Sequence, residues 1–485
     1  YSLNISIVWF CIFYLLNILL YYFSICYLNK HFTNIFFISV NLITFSGGGS
    51  WSWTSPMIPK LSSTDPEINP LPKPTTTFEE SWIAALMNLG AVIGPFAGGA
   101  CAGKFGKKKA LLIMALPMMA SHILCTIALN VYFFLAARFL MGLGVGTIFA
   151  VVPAYVGDIA EDRNRGTLCS VLGVCNSLGI LLMYIVGPFL SVRLFNFLNI
   201  IPLALFYIIF GYFMPDSPYD AVKKGNRTYA EEILMKLRGK SSGDVEKELL
   251  YITEIIEANS NSVDNGLSAI LKSKSLTKGL IISNGLMLFQ QLSGICAVLG
   301  YMQSIFEVSG SSIPPIYSAM IIGTVQLISN SASAQLVDVA GRKMLLIISH
   351  VFSGISLVAL GAYFFLKQLD QNVDFLGWLP ITSLVIFIIS YNLGLANMPW
   401  VVLSELFPSN VKAIASVITS FSCFFLSFVI TMCFPFLSAS LGMAGSFWVF
   451  AIFLTCGFVF CITLLPETKG KSVLEIKNIL DGVKK

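Results

Sequence analysis

Gln290-Gln291-Leu292-Ser293-Gly294-Ile295-Cys296 is the stretch around which this 485-residue chain is organised. It lies in an apolar run, 279–306, that is long enough to cross a bilayer as a helix. Two adjacent amides in hydrocarbon are costly unless they find hydrogen-bond partners. They either face a water-filled cavity or a neutral, hydroxyl-rich ligand, because an amide donates and accepts without charge, or they bond to neighbouring helices. The spacing alone does not separate these two interpretations.

The composition is that of a membrane protein. The chain is 56% hydrophobic and 11% charged, with a mean hydropathy of +0.80, whereas about a quarter of the residues of a soluble protein are charged. Recurring apolar runs of about 20 residues predict many membrane-spanning helices rather than a β-barrel. The eleven cysteines are scattered without a CxxC pair, so we interpret them as small buried hydrophobes and expect no metal site and no cofactor.

Twelve of the apolar runs predict twelve spans, six on each side of a charged segment at 215–278. Apolar residues recur at helical spacing within 230–237 and 245–256, so we expect short amphipathic helices in that segment. Lysine and arginine cluster after the even-numbered spans, which predicts that those ends and the C-terminal tail are cytoplasmic. The predicted spans lie near 34–58, 81–101, 110–129, 132–156, 167–190, 197–214, 279–306, 314–337, 344–366, 378–403, 413–437 and 446–465.

These runs divide the chain into an N-terminal six-helix half, a cytoplasmic helical linker, a C-terminal six-helix half and a cytoplasmic tail. The corresponding residues are 31–214, 215–278, 279–466 and 467–485. Residues 1–30 hold an extra uncharged, aromatic-rich run that could be a further span, a signal-like segment or wrongly translated upstream sequence, and we favour the last. Because the chain begins with Tyr1 rather than Met, we expect its true start to lie elsewhere.

The two halves repeat each other. Asp158 is followed seven residues later by Arg165, and Glu405 is followed seven residues later by Lys412, each pair just after the fourth span of its half. Two further pairs of motifs match in register, 103–108 with 338–343 and 215–217 with 466–468. Three matches in register predict duplicated six-helix halves.

A duplicated bundle of this kind suggests alternating access, in which the halves rock around a site near the middle of the membrane. The charged helix ends could then act as a gate that joins when the cytoplasmic side closes and separates when it opens. Alternatively they are solvated loop charges, since exposed pairs contribute about 0–1 kcal/mol, but the duplicated spacing favours the gate. The candidate gate residues are Lys104, Gly106, Lys107, Asp158, Arg165, Asp338, Gly341, Arg342, Glu405, Lys412 and Glu467.

Six groups of residues carry a resemblance to a known family. They are Gln290 to Ile295, Pro399-Trp400 with Glu405 to Pro408, Arg165-Gly166, Asp338 with Gly341-Arg342, Pro215 to Pro218, and Pro466 to Gly470. With these motifs the chain resembles, from about residue 44 to 478, the sugar porter family of the major facilitator superfamily. Three further motifs, 53–56, 80–83 and 94–96, are similar to its insect facilitated trehalose transporter branch. The resemblance implies an all-α, twelve-helix major facilitator fold in the plasma membrane that carries a hexose or trehalose between its halves.

The resemblance also implies a set of sugar-binding residues. Gln290 and Gln291 match the family's sugar-bonding glutamines, Trp400 matches its aromatic wall, and Gln326 and Asn392 match polar contacts on spans eight and ten. Neutral donors and acceptors beside an aromatic face suit a neutral polyol better than an ion. Trp400 alone would more often be a packing residue or an interface anchor, but beside Pro399 and the glutamines we favour the site.

The chain departs from the family pattern at several positions. In the expected site, Cys296 replaces an asparagine, Gly173 replaces the glutamine of span five with Asn176 one turn away, and 422–424 replace the Asn-Trp pair of span eleven. On the cytoplasmic side the changed positions are Gly103, Val339 and Tyr219. These departures leave open which sugar is bound and whether transport is retained.

Arg138 on span four is the one clear intramembrane charge, and it matches a family arginine that we expect to bond to backbone or polar groups. The predicted first span has no carboxylate of the kind that proton-coupled relatives use, so we expect facilitated diffusion. The alternatives are a transporter-like sensor with little flux and a carrier of another neutral solute. No nucleophile–base set or phosphate loop in the sequence indicates an enzyme. We expect a small neutral sugar and the lipid bilayer as partners, no nucleic acid, and function as a monomer, with the oligomeric state left open.

Overall fold

The computed structural model describes residues 31–160, 165–260, 267–311, 313–371, 373–471 and 473–481, so the interpretation of residues 1–30 lies outside the described residues. Helices lie at all twelve predicted spans. Spans one to six are His31–Ser52 with Thr54–Leu61, Thr77–Phe105, Lys107–Thr126, Val131–Ile159, Arg165–Val186 and Val192–Phe213. Spans seven to twelve are Lys274–Leu292 with Ile295–Gly300 and Met302–Ser309, Pro315–Ala340, Arg342–Gln368, Leu379–Leu393 with Met398–Leu406, and Ser409–Thr463. The last helix holds spans eleven and twelve, which meet at a kink at Gly442 (φ 72°, ψ 170°).

Shorter helices lie between and after the two sets of spans. They are Pro218–Lys223, Arg227–Arg238, Ser242–Ser260, Leu267–Lys272 and Val473–Asp481, with a 3-10 turn at Asp374–Leu376. The face of the bundle that carries the first four is called here the linker face, and the opposite one the far face. Eight helical stretches of the described residues are long and apolar enough to cross a membrane, with mean hydropathies between 1.4 and 2.2.

Most helices extend beyond the predicted spans, and polar side chains cap the starts of spans two, four and six. Span two was predicted near 81–101, but its helix begins at Thr77. Thr76 Oγ1 accepts a hydrogen bond from the backbone N–H of Glu79, and the Glu79 carboxylate accepts from the Thr76 N–H at 2.8 Å. This reciprocal cap satisfies amides that the first turn of a helix leaves unpaired. Hydropathy finds the part of a helix in hydrocarbon and not its capped ends.

Three spans are interrupted, which the sequence analysis did not predict. Span one breaks at Trp53, span seven at Ser293-Gly294 and again at Tyr301, and span ten at 394–397. Gly294 has φ +82°, and an added Cβ there would lie 2.4 Å from the Phe450 ring, so only glycine fits this turn without strain. Each break releases backbone carbonyls from helical bonding, and these groups then need other partners.

Within the N-terminal half, spans two and four pack so closely that glycine is required. A Cβ on Gly142 would lie 1.9 Å from the Met87 carbonyl oxygen, and one on Gly90 would lie 2.2 Å from that of Phe139. Small residues let helix backbones approach when lipid supplies no hydrophobic driving force. Between the halves, span two packs against span eleven and span five against span eight.

The linker and the tail are attached to different halves. Arg238 forms an ion pair with Glu248 at 2.6 Å and donates at 2.8 Å to the Ile159 carbonyl, at the linker-face end of span four. At the other side, Lys278 Nζ donates to the Leu480 carbonyl of the tail helix, which packs on span seven. Movement of one half relative to the other therefore carries 218–260 and the tail helix in different directions.

Candidate substrate site

The two glutamines lie where span seven breaks. Gln290 and Gln291 form the last turn of Lys274–Leu292, and their exposed fractions are only 3% and 7%. Buried amides need partners, and the two side chains find different ones.

Gln290 is held by the break in span ten. Its Nε2 donates to the carbonyl oxygen of Leu395 at 2.6 Å and to that of Ala396 at 3.0 Å. Both carbonyls lie in the interrupted segment 394–397. The interaction between helices that we considered from the sequence thus describes Gln290, which fixes span seven to the break.

Gln291 is held by sulfur. Its Nε2 donates to Cys423 Sγ at 3.1 Å, and its Oε1 accepts from Cys296 Sγ at 3.2 Å. Ser427 Oγ in turn donates to Cys296 Sγ at 2.9 Å. Thiols are weak donors and acceptors, so a hydroxyl that reached this amide would form a stronger bond than the one it replaced. Of the two glutamines, Gln291 is therefore the one whose bonds a ligand can take over.

The other predicted binding residues lie on spans eight and ten. Asn392 Nδ2 donates to Ser329 Oγ at 2.8 Å just before the break. Gln326 is 7% exposed, and its Oε1 has no hydrogen-bond partner among the described residues. Trp400 is half-buried in Met398–Leu406, just beyond the break, and packs against the apolar core of the C-terminal half. The structure thus places Asn392 and Trp400 on either side of the segment that holds Gln290.

Sequence reasoning missed Asn330 and Asn397. Asn330 Nδ2 donates to the Gly173 carbonyl at 3.0 Å and to Ser177 Oγ at 2.8 Å, both on span five. Its Oδ1 accepts from Asn397 Nδ2 at 3.2 Å, within the break of span ten. The position of Asn330, one helical turn after Gln326, is the sequence signal that could have revealed it.

An aromatic cluster from both halves was also missed. Trp51 of span one stacks on Phe424 of span eleven with ring centroids 6.3 Å apart and an interplanar angle of 20°. Phe149 of span four meets the Phe424 ring edge-on at 6.2 Å. Phe424 directly follows Cys423 and lies within 422–424, where the family resemblance places an Asn-Trp pair. Such contacts contribute about 0.5–1.5 kcal/mol each beyond burial, so this cluster stabilises the junction of the halves.

On the linker face of the N-terminal half, Lys107 is the centre of an ion-pair network. Its Nζ lies 2.5 Å from Asp158 Oδ2 and 3.2 Å from Asp220 Oδ1. The Asp220 carboxylate also accepts from the Lys107 N–H at 2.7 Å, at the start of span three. Ser217 Oγ donates to the Asp158 carboxylate. This Lys107 network connects spans three and four to the helix that follows span six.

The C-terminal half repeats the plan around Arg342. Its Nη2 lies 3.0 Å from Glu405 Oε1, and its N–H donates to Glu467 Oε1 at 3.1 Å. Burial alone would raise the pKa of Glu467, but the N–H groups of Lys469, Arg342, Lys343 and Thr468 donate to its carboxylate and hold the pKa below its ordinary value of 4.5. This Arg342 network connects spans nine and ten to the segment after span twelve.

A glycine with positive φ begins the helix in each network. Gly106 has φ +95° and Gly341 has φ +85°. An added Cβ would lie 3.3 Å from Asp220 Oδ2 in the first case and 3.0 Å from Glu467 Oε2 in the second. Glycine therefore allows both the backbone conformation and the close approach of the capping carboxylate.

The structure shows two acid–base pairs that the seven-residue spacing did not indicate. Asp158 pairs with Lys107 and Glu405 with Arg342, because the starts of spans three and nine lie closer to the acids in space than the chain order indicates. Lys412 is half-buried near Glu405, and Lys104 lies over the Phe105 ring at 5.2 Å rather than in the network. The side chains of Arg165 and Asp338 lie outside the described residues.

Arg138 is fully buried in the N-terminal half. Its Nε donates to the Ile83 carbonyl at 2.9 Å, and its Nη1 donates to the Ser50 carbonyl at 3.0 Å. The guanidinium also lies 5.2 Å from the centre of the Trp53 ring, beside the break in span one. Arg138 therefore fixes spans one, two and four to one another.

Known proteins resemble the chain in sequence over nearly its whole length. Residues 33–480 match the family described as "Sugar (and other) transporter". The chain is 35% identical over 452 residues to a facilitated trehalose transporter Tret1-2 homolog of Drosophila simulans, covering 92% of this chain and 90% of that protein. It is also 35% identical over 449 residues to the facilitated trehalose transporter Tret1 of Culex quinquefasciatus, covering 92% and 85%.

Solved structures show the same fold. The proton:xylose symporter XylE bound to 6-bromo-6-deoxy-D-glucose matches with a TM-score of 0.73 at 22% identity, covering 93% of this chain and all of that one. The inward-open xylose transporter XylE from E. coli matches with a TM-score of 0.74 at 21% identity, with the same coverage. These matches confirm the predicted all-α, twelve-helix fold of the major facilitator type.

Proposed function

We propose a function from the premise that this chain belongs to the sugar (and other) transporter family. It is a multi-pass membrane transporter and not an enzyme. The proposed activity is the transfer of a neutral sugar across the plasma membrane by alternating access. The observation that carries this proposal is the Gln291 amide at the break of span seven, which bonds to the Cys423 and Cys296 thiols and, at 3.4 Å, to Gln290 Oε1, all of them uncharged groups.

The proposed substrate is trehalose or a hexose. The groups around Gln291, namely Cys296, Cys423 and Ser427, are uncharged, which favours a neutral polyol over an ion. The insect relatives that share 35% of the sequence are named facilitated trehalose transporters. Span one, His31 to Leu61, contains no Asp or Glu, which supports facilitated diffusion rather than proton coupling.

In the proposed mechanism, sugar hydroxyls displace the thiols from Gln291. Its Nε2 then donates to a sugar oxygen and its Oε1 accepts from a sugar hydroxyl. Gln290 keeps the broken segment of span ten in place while this exchange occurs. Each sugar bond contributes about 0.5–1.5 kcal/mol net, which gives the modest affinity that a carrier needs for release.

Movement of the halves follows from where they are connected. On the far face, the Gln303 N–H donates to Ser55 Oγ at 3.2 Å and the Tyr184 hydroxyl donates to the Leu299 carbonyl at 2.9 Å, so both bonds join one half to the other. The ion pairs of the Lys107 and Arg342 networks each lie within one half. We propose that the linker face is cytoplasmic, that these networks brace each half during movement, and that the far-face bonds break when the transporter opens outward.

Uptake of labelled trehalose and glucose by oocytes tests the proposal. Gln291→Ala should lower uptake at low sugar concentration about 5-fold to 150-fold, because two hydrogen bonds are lost. Gln290→Ala should lower the maximal rate rather than the affinity, because it frees the carbonyls of span ten. Gln303→Ala is the matched control, since that side chain donates to Glu307 Oε1 at 3.1 Å on the exposed far face.

The outcomes separate the alternatives, provided that surface abundance is measured for each variant. Equal uptake in Gln291→Ala and Gln303→Ala would remove Gln291 from the site. Sugar binding without uptake in the unmodified protein would identify a sensor, and neither binding nor uptake of these sugars would indicate another neutral solute.

A further inference from the structure

Asn330 joins the two halves beside the proposed site. It lies on span eight of the C-terminal half, and both hydrogens of its amide group are directed to span five of the N-terminal half, at Gly173 and Ser177. Ser177 is 99% buried and Asn330 is half-buried, so the contact is partly shielded from water. A hydrogen bond between amide and hydroxyl groups is stronger in such surroundings than at a surface.

Gly173 makes this contact possible. A Cβ at this position would lie 3.4 Å from Asn330 Nδ2, so a side chain longer than that of alanine would occupy the space that the Asn330 amide uses. The family resemblance places a glutamine here. In this chain, the polar group at this point therefore comes from span eight instead of span five.

The contact continues to the glutamines. Asn330 Oδ1 accepts from Asn397 Nδ2, and the break that contains Asn397 also holds the two carbonyls to which Gln290 donates. Side chains and backbone thus connect span five to span eight, to the break of span ten and to span seven. With two donors and one acceptor position of Asn330 in use, its amide is committed to the protein.

We infer that Asn330 is a positioning residue that couples the N-terminal half to the break in span ten, and through the break to Gln290. The inference rests on the proposed function, because the bonds to Gly173 and Ser177 cross the interface that must rearrange during alternating access. The breaking and re-forming of these two hydrogen bonds sets the rate of the conformational step. It leaves the sugar contacts at Gln291 unchanged. Asn330 therefore affects how fast loaded halves move and not how tightly sugar binds.

Exchange kinetics in proteoliposomes test this role. Asn330→Ala should lower the maximal exchange rate about 10-fold and change the sugar dissociation constant less than about 2-fold. Ser177→Ala should lower the rate only about 2-fold to 3-fold, because the Gly173 carbonyl remains. Ser331→Ala is the matched control, since Ser331 Oγ bonds to Leu327 within its own helix. Asn330→Ala with Asn397→Ala should be no slower than Asn330→Ala alone, because both act through one connection.

The opposite pattern overturns the inference. A weaker sugar affinity with an unchanged exchange rate in Asn330→Ala would make Asn330 a sugar contact. If the rate reductions of Asn330→Ala and Asn397→Ala multiplied in the double variant, the two residues would act separately. Hydrogen exchange of the full-length protein without sugar gives an independent readout, in which Asn330→Ala, but not Ser331→Ala, should speed amide exchange at 394–397. If the unmodified protein neither binds nor carries sugar, the proposed function fails, while the hydrogen-exchange result still decides whether this coupling exists.

Discussion

The two halves are alike on the linker face and unlike inside the membrane. In both halves a base at the start of the third helix pairs with an acid at the end of the fourth, as Lys107–Asp158 and as Arg342–Glu405. Inside, span four is one continuous helix, whereas its counterpart, span ten, breaks at Gly394. The two networks therefore share one arrangement, whereas span ten, unlike span four, gives up helical bonding at 394–397, where the Leu395 and Ala396 carbonyls bond to Gln290.

Both halves also contain buried backbone carbonyls, and a different kind of side chain donates to them in each half. The N-terminal half satisfies the Ser50 and Ile83 carbonyls with the permanent charge of Arg138. The C-terminal half satisfies the Leu395 and Ala396 carbonyls with the neutral amide of Gln290. A charge holds helices in one arrangement, whereas a neutral amide allows a neighbouring site to bind an uncharged ligand.

The largest expected effect is the loss of Arg138. Arg138→Ala removes the guanidinium bonds to two buried carbonyls and leaves a cavity beside Trp53, so the free energy of unfolding should fall by about 2–5 kcal/mol. The thermal unfolding midpoint of the purified protein should fall accordingly. Arg138→Lys keeps the charge but not the planar fork, and should recover only part of the loss. An unchanged midpoint in Arg138→Ala would show that Arg138 does not hold the N-terminal interior together.

The glycines of the two networks provide a matched test of their equivalence. Gly106→Ala and Gly341→Ala each place a Cβ in a backbone region that is nearly restricted to glycine, so each should cost about 1–3 kcal/mol of unfolding free energy. The Gly341 variant should lose more, because its Cβ lies closer to a carboxylate. Gly103→Ala, at an open helical position, should be neutral or slightly stabilising. The thermal unfolding midpoints of all three variants check this prediction. A lower midpoint in only one of Gly106→Ala and Gly341→Ala would show that the two networks are not equivalent.

A substitution at Cys296 should sharpen the contrast between the interiors. Cys296→Asn adds an amide next to Gln291, where the thiol now bonds weakly, so the KM for sugar should fall about 3-fold to 10-fold. The matched control is Cys175→Ala, a buried thiol of span five. Concentration-dependent uptake measures both variants, and an unchanged or higher KM for Cys296→Asn would contradict the proposed placement of the sugar.

The smallest expected effect is a pH dependence at Glu467. Because its pKa is lowered in the folded protein, its contribution to stability is fully present above pH 4.5 and is lost as the pH falls through the lowered folded pKa. The advantage of the unmodified protein over Glu467→Gln should therefore be largest near neutral pH and shrink in acid. Thermal midpoints of both proteins from pH 7 to pH 3 check this, and a constant difference would mean that the carboxylate charge does not stabilise the cap.

The sequence was sufficient for features that depend on local composition. Apolar runs located all twelve spans, because hydrocarbon demands a long stretch of apolar residues wherever a helix crosses it. The repeated motifs indicated two similar halves and named Lys107, Arg342 and Glu467, which the structure places in two equivalent networks.

Ion pairs between distant parts of the chain could not be predicted from the sequence. Lys107 and Asp158 are separated by 51 residues and Arg342 and Glu405 by 63, so the spacing of nearby charges did not indicate these pairs. The breaks at Gly294 and Gly394 were missed because both glycines lie within long, mainly apolar runs, and hydropathy contains no information on backbone conformation. The different roles of Gln290 and Gln291 depend on which neighbour each amide meets, and adjacent identical residues carry no such information.

The kink at Gly442 has a practical consequence for anyone who wishes to follow this transporter in living cells. It joins spans eleven and twelve without an intervening loop, and a Cβ there would already lie 3.0 Å from Gln368 Oε1. An epitope tag inserted at Gly442 would separate spans eleven and twelve. The exposed residues 64–68, between spans one and two on the same side of the bundle, offer a place where an antibody label can be displayed without disturbing the helices.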